Sequence, residues 1–346
     1  MRKSFVFFLI LLKWGILVCG VCLLGGCYIA RQGMGQMDIL FTRESVEDYL
    51  AGEASPEFKE TVLFIQDVKR FGEDEIGLKS TDNFTTVYDT GGAPVSWVVT
   101  ACRKDRFEPY TWWFPIVGKV PYKGFFNRKD ALAQAEELEA AGYDVSVGSV
   151  GAYSTLGWFS DPILSTMFED TRESLADLIL HEMTHGHVYV SGRGDFNESL
   201  ASFIGRQASL DYFRRRYGEN SKPYQRAIER FADEGRFDDF IQALYIELDS
   251  YYRSSPAHPL RGREEIFRRA KDDFLSWRNE LHSIRYDWFL KIPLNNSTIM
   301  GRRRYGRTEL FQKVFDSDNG EWAAFWGRIQ IAAEAMDPFG SLEGIR

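Results

Sequence analysis

The sequence predicts an α+β fold dominated by helices, with a small mixed sheet in its N-terminal half. Three observations carry this. Apolar residues recur at helical spacing through most of the second half, over Phe196 to Arg216, Pro223 to Tyr252 and Leu260 to Tyr286. Short β-branched and aromatic runs bounded by turn residues occur ahead of Asp161-Pro162. A helical segment, Arg128 to Ala141, runs directly into an alternating strand, Tyr143 to Val150, which sets helix beside sheet. With 44% apolar and 15% aromatic residues, the 346-residue chain can bury a substantial core.

The first elements read as an address. Arg2 and Lys3 precede an apolar run from Phe5 to Leu24 that only Lys13 interrupts, a signal-peptide pattern. It ends in Leu24-Gly25-Gly26-Cys27, which looks like the bacterial lipobox, where Cys27 is acylated and becomes the mature N-terminus. Residues 1–26 are therefore read as a lipoprotein signal peptide. An uncleaved membrane anchor is the alternative, because the apolar run is nearly long enough to span. Tyr28, next after the cysteine, is not acidic, which favours the outer over the inner membrane in a Gram-negative cell. The expected place is the bacterial cell envelope, lipid-anchored. Cys19 and Cys22 leave with the signal, so Cys102 stands alone, without a disulfide framework or a cysteine metal site. Net charge is −8, and removing the leader's Arg2, Lys3 and Lys13 leaves −11. Such an acidic chain is a poor nucleic-acid binder. Arg302-Arg303-Arg304 with Arg307 reads as solvated or ion-paired surface.

Residues 28 to 42 form a tether and a first short helix. Ser55-Pro56-Glu57 starts a clearer one, with Val62, Ile65, Val68 and Phe71 on its apolar face. Phe84 to Tyr88 and Val95 to Cys102 pair as a β-hairpin about Thr90-Gly91-Gly92-Ala93-Pro94. The aromatic stretch Tyr110 to Phe126 is core, or lines a cleft. Asn127 caps the Arg128 helix and Gly142 ends it. Gly151 to Phe159 is either an edge strand suited to an extended peptide or a buried connection. Asp161-Pro162 breaks it, and Asp170 or Thr171 starts the next helix.

That helix carries His181-Glu182-Met183-Thr184-His185. Positions four apart share a helix face, so His181 and His185 can close on one metal ion, with Glu182 able to reach a water beside it. Zinc accepts imidazole nitrogen and carboxylate oxygen, and a catalytic site keeps three protein ligands and one open position. Glu198 is the third ligand, because Gly192 and Gly194 permit a tight return after the first helix. Asp195-Phe196-Asn197-Glu198 also fits a capping box, with Glu198 reaching back to Asp195. His187 points away from the pair, and His258 and His282 lack partner motifs. The domain division follows: residues 27–170 form an α+β lobe with the substrate-edge strand, and 171–346 a helical catalytic lobe, together one functional unit.

The residues resemble a family. His181-Glu182-x-x-His185 with Phe196-Asn197-Glu198-x-x-Ala201 is similar to the gluzincin pattern, including the Asn-Glu-x-x-Ala step of large zinc aminopeptidases. More closely, the chain resembles the bacterial putative aminopeptidase family of predicted zinc-dependent lipoproteins. That likeness runs from Gly26-Cys27-Tyr28 through Phe114-Pro115, Val120-Pro121-Tyr122 and Tyr153 to Phe159 with Asp161-Pro162. It continues into the metal segment and Leu294-Asn295-Asn296. It implies a zincin-like metallopeptidase acting on peptides, with Zn2+ on His181, His185 and Glu198 and Glu182 as general base. The acidic Gly-x-Met-Glu-Asn motif of the large aminopeptidases, which takes the substrate's free amine, is absent, and the gap from His185 to Glu198 is shorter than theirs. A tyrosine often steadies the oxyanion in such enzymes, and Tyr305 is the candidate here. The rival expectations are a zinc amidase or endopeptidase on cell-wall or other peptides, and a non-catalytic lipoprotein whose metal is closed by a fourth ligand such as His187 or Asp177.

Overall fold

Caps and apolar faces set the N-terminal elements of this computed structural model, which describes residues 26–114, 118–150, 160–303 and 307–344. The leader up to residue 25, the Tyr153 to Phe159 string and Tyr305 lie outside the described residues. Where a tether and a short helix are expected, a helix of 17 residues, α1 (Gly26–Thr42), is present. The Tyr28 hydroxyl near its start donates to the Gly124 carbonyl at 2.8 Å, and Ile39 is buried. After β1 (Glu44–Ser45) and α2 (Val46–Ala51) comes α3 (Pro56–Phe71). The Ser55 side chain accepts from the Phe58 N–H, and Val62, Ile65, Val68 and Phe71 are wholly buried. The helix widens into a π-turn, Gly72–Ile76, that stops at Gly77 in the left-handed region, φ 81°.

The expected β-hairpin is absent. β2 (Thr86–Tyr88) pairs with β1 and, in parallel, with β8 (Ile163–Leu164). β3 (Ser96–Arg103) joins a different sheet, between β6 (Lys123–Phe125) and β7 (Tyr143–Val150), while β4 (Trp112–Phe114) and β5 (Gly118–Val120) pair alone. The turn between β2 and β3 is tied elsewhere: the Thr90 N–H donates to Ser165 Oγ at 2.9 Å, and Ser165 Oγ donates to Asp89 at 2.9 Å. That holds the turn to the chain just beyond β8 and sends β3 away. α4 (Arg128–Ala140), capped by Asn127, covers the β3 sheet through buried Ala131, Ala135 and Leu138. Trp112 and Phe125 belong to that small core, whereas Trp113 is 66% exposed on the opposite face of β4.

The second half is helical: α5 (Arg172–His187), α6 (Gly194–Tyr217), α7 (Lys222–Arg253), α8 (Pro259–Trp277), α9 (Trp288–Lys291), α10 (Asn296–Arg303), α11 (Thr308–Ser317), α12 (Trp322–Glu334) and α13 (Pro338–Glu343). The helix expected to run to Tyr286 ends at Trp277. The reason is Asp233 on α7, whose carboxylate accepts the backbone N–H groups of His282, Ser283 and Ile284 and holds them out of helical register. Asn295-Asn296-Ser297-Thr298 reads as a loop in the sequence, yet α10 begins at Asn296, with the Asn295 side chain just before it accepting the Thr298 N–H at 2.9 Å. Asn296 then sits in a buried polar hub. Arg263 meets Asp144 at 2.5 and 3.2 Å, the Asn296 N–H donates to Asp144, and the Tyr252 hydroxyl donates to Asn296. The hub ties α7, α8 and α10 to β7.

Among the described residues helices dominate and the sheets have two or three strands, an α+β arrangement. The largest core draws side chains from Ile39 to Leu342, and α5 and α6 run through it. Among the described residues no helix is long and apolar enough to cross a membrane.

Candidate metal centre

The first carrier of the site is α5. Thr171 caps it by accepting the Ser174 N–H, and Glu173 in the first turn suits the positive end of the helix dipole. Leu175, Ala176, Ile179, Leu180 and Met183 are buried on its core face. Gly72 in the π-turn lets that face seat closely, since a Cβ there would meet Leu180 Cδ2 at 2.9 Å and Met183 Cε at 3.0 Å. Met183, between the two histidines, is therefore a packing residue. The opposite edge of the same turns presents His181 and His185, whose Nε2 atoms lie 3.2 Å apart.

The second carrier, α6, starts at Gly194 without a side-chain cap, after Gly192 turns the chain at φ 73°. Glu198 is thus already inside the helix. Glu198, Ala201 and Gly205 recur at three- and four-residue steps and form the stripe that faces α5. Ala201 is wholly buried, and a Cβ on Gly205 would meet Asp177 Oδ1 at 2.5 Å, the Asp177 carbonyl at 2.8 Å and His181 Cβ at 3.2 Å. Small residues at these positions let the two helices approach until Glu198 reaches the histidines. Glu198 Oε2 lies 3.6 Å from His181 Nε2 and 3.9 Å from His185 Nε2.

Three donors around one tetrahedral ion with bonds of about 2.0–2.1 Å stand about 3.3–3.4 Å from one another. The separations of 3.2, 3.6 and 3.9 Å bracket that value. Two imidazole nitrogens and a carboxylate oxygen also suit a first-row divalent ion by donor type. The electrostatics agree. Burial disfavours charge on His181, yet the Glu198 carboxylate beside it and the charges of Glu182 and Asp177 outweigh it and raise its pKa. Burial and the neighbouring His181 instead push His185 down to about 4. A cluster that raises the pKa of one partly buried imidazole is a place that favours a cation. Side-chain exposure climbs from 6% at His185 through 19% at His181 to 29% at Glu198, so the centre opens toward solvent on the Glu198 side.

Among the described residues these three side chains form the group that can ligate together. Neither suggested fourth ligand joins it. His187 Nδ1 accepts the Lys79 N–H at 3.0 Å, and its ring packs 4.3 Å from Trp326. Asp177 lies against Gly205 and influences His181 by charge. His258 precedes α8, and His282 is held by its backbone N–H on Asp233. Cys27 falls in α1, and Cys102 is a buried free thiol that burial pushes up to about 12.

Two features lay beyond the sequence reading. Behind His181, Asp177 borders a charged cluster in which Arg230 meets Glu234 at 2.7 Å and Arg206 lies 3.6 Å from Asp238. Arg230 and Glu234 are four apart on one helix, a visible signal, but their approach to Asp177 is tertiary. The second feature is Asn197, 2% exposed, whose amide bonds both backbone groups of Val190. The sequence sets Asn197 beside Glu198 and offers no sign of its partner.

No curated protein and no solved structure matches the chain. A family model described as "Putative aminopeptidase" matches residues 27–337, a span that runs from the second residue of α1 through α12 and holds the whole His181, His185 and Glu198 group. By that match the chain belongs to the putative aminopeptidase family.

Proposed function

We propose that the protein is a zinc-dependent peptidase that removes N-terminal residues from short peptides, working outside the cytoplasm on a lipid anchor at Cys27. The observation that carries the reading is the convergence of His181 Nε2, His185 Nε2 and Glu198 Oε2 within 3.9 Å of one another, next to a glutamate in the helix position that a general base requires. Family membership supports the aminopeptidase direction.

In this reading His181, His185 and Glu198 hold zinc. When bound, zinc supplies Lewis-acid polarisation of the scissile carbonyl and lowers the pKa of water. Glu182 takes the proton of the attacking water and delivers it to the leaving amine. The position of Glu182 one residue past His181, with its charge acting on that imidazole, supports this role. The core face of α5 keeps the backbone fixed, so a proton can move through Glu182 without the ligands shifting. Three protein donors leave room for water and substrate, which is the arrangement of a catalytic rather than a structural site.

The test is a peptide library with free and acetylated N-termini, offered to the zinc-loaded wild type and to Glu182→Gln. The wild type is expected to cleave only free-amine peptides. Glu182→Gln should hold the same zinc content and lose about 10²–10⁴-fold in rate. Cleavage of acetylated peptides at the same rate would make the enzyme an endopeptidase, and a fully active Glu182→Gln would remove Glu182 from the mechanism.

A further inference from the structure

We propose that Asn197 is a positioning residue for the third metal ligand: its side-chain amide locks the return between α5 and α6 and so fixes where Glu198 stands. The inference rests on the assignment of His181, His185 and Glu198 as the zinc ligands.

Asn197 is the residue before Glu198, yet its side chain does not head for the metal. It reaches back seven residues to the extended chain leaving α5. Asn197 Oδ1 accepts the Val190 N–H at 2.9 Å, and Asn197 Nδ2 donates to the Val190 carbonyl at 2.9 Å. One amide thus satisfies both backbone groups of a single residue, as a neighbouring β-strand would. The same carbonyl accepts the Arg193 N–H at 3.1 Å, and the Asn197 N–H donates to the Arg193 carbonyl at 3.0 Å. Residues 190, 193 and 197 are therefore cross-braced, and Gly192 supplies the left-handed turn between them. The chain is anchored on the other side as well, because Val188 N–H donates to the Thr184 carbonyl at 2.9 Å, one residue before the ligand His185.

Consequently every bond from His185 to Glu198 passes through a stretch that Asn197 holds. Further along α6 the helices are held by the close approach at Gly205. The two constraints flank Glu198 along the helix, so losing one leaves Glu198 free to pivot about the other. Asparagine suits this task because the job needs an acceptor and a donor on one short, planar, uncharged group. Aspartate keeps the acceptor but turns a negative charge on the Val190 carbonyl. Alanine takes the side-chain partner from the part-buried Val190 N–H and leaves the Val190 carbonyl with the Arg193 N–H alone of its two donors here. Partners that orient metal ligands change metal affinity by about 10–100-fold when removed.

The experiment measures zinc affinity of the full chain by competition with a chromophoric chelator, and the visible spectrum of the cobalt-substituted protein. It compares wild type, Asn197→Ala, Asn197→Asp and Tyr212→Phe. The last removes the buried hydroxyl that donates to Asp67 at 2.8 Å, far from the return, and serves as a destabilised control. Expected is a 10–100-fold weaker zinc affinity in both Asn197 variants, with a changed cobalt absorption, and wild-type affinity in Tyr212→Phe. If Asn197→Ala does not fold, Asn197→Asp alone carries the comparison. Wild-type zinc affinity and an unchanged cobalt spectrum in folded Asn197 variants would overturn the inference while leaving the ligand assignment intact. A wild type that binds no zinc would overturn the ligand assignment, and this inference with it.

Discussion

Around His181 the controlling quantity is the negative charge gathered about one imidazole. Asp177, Glu182 and Glu198 all act on one imidazole, and behind Asp177 stands Glu234. Burial, then the charge of Asp177, raises the Glu234 pKa from 4.5 to about 7, against the pull of Arg230 and Arg206. Between those two values the folded chain holds a proton that the unfolded chain has lost. Stability from this group is therefore fully present below about pH 4.5, and it is lost as pH rises through about 7. Denaturant titrations at pH 5 and pH 8 should show a drop for the wild type that is clearly smaller in Glu234→Gln. Equal drops in the two proteins would contradict the placement of Glu234. At this scale the sequence was informative where chemistry and spacing coincide on one helix. The pairing of His181 with His185 is legible because a four-residue step fixes their shared face, and Glu182 because it is the next residue on that helix. Glu198 needed the glycines of the return as a hint. Asn197 and Glu234 were not legible, because what gives them a role is a partner on another segment.

Helix against helix, the site depends on how closely α6 crosses α5. Gly205 sets that distance, since any side chain there meets the Asp177 carbonyl at 2.8 Å, which is backbone and cannot rotate away. Gly205→Val is expected to cost about 1–3 kcal/mol in urea unfolding and to weaken metal binding by displacing Glu198. A Gly205→Val protein with wild-type stability and metal affinity would show that the helices are not constrained there. Element boundaries followed the caps: Ser55, Asn127 and Thr171 each start the helix that the sequence assigns them. The failures have tertiary causes. Turn residues 90–94 looked like a hairpin loop, but Ser165 captures the turn. The helical pattern continued past Trp277, but Asp233 gathers three successive N–H groups and stops it. A side chain from a distant element decided each case.

For the whole molecule, one large core links α3, α5, α6 and α12, so the metal helix is braced from several directions, while the β3 sheet and the α7–α8 pair keep smaller cores of their own. The Asp144, Arg263 and Asn296 hub ties the last two together. The proposed lipid anchor is tested at this scale too. Cys27→Ser expressed in a bacterium should leave the membrane fraction, whereas retention there would favour an uncleaved leader as the anchor. The central claim, however, is the ion that His181, His185 and Glu198 hold. Zinc K-edge X-ray absorption on the purified full chain tests it most directly. The expected result is one tightly bound zinc with a first shell of four nitrogen and oxygen donors at about 2.0–2.2 Å, two of them carrying the outer-shell scattering of imidazole. A shell with sulfur at about 2.3 Å, a shell without imidazole, or a protein that retains no zinc would contradict it.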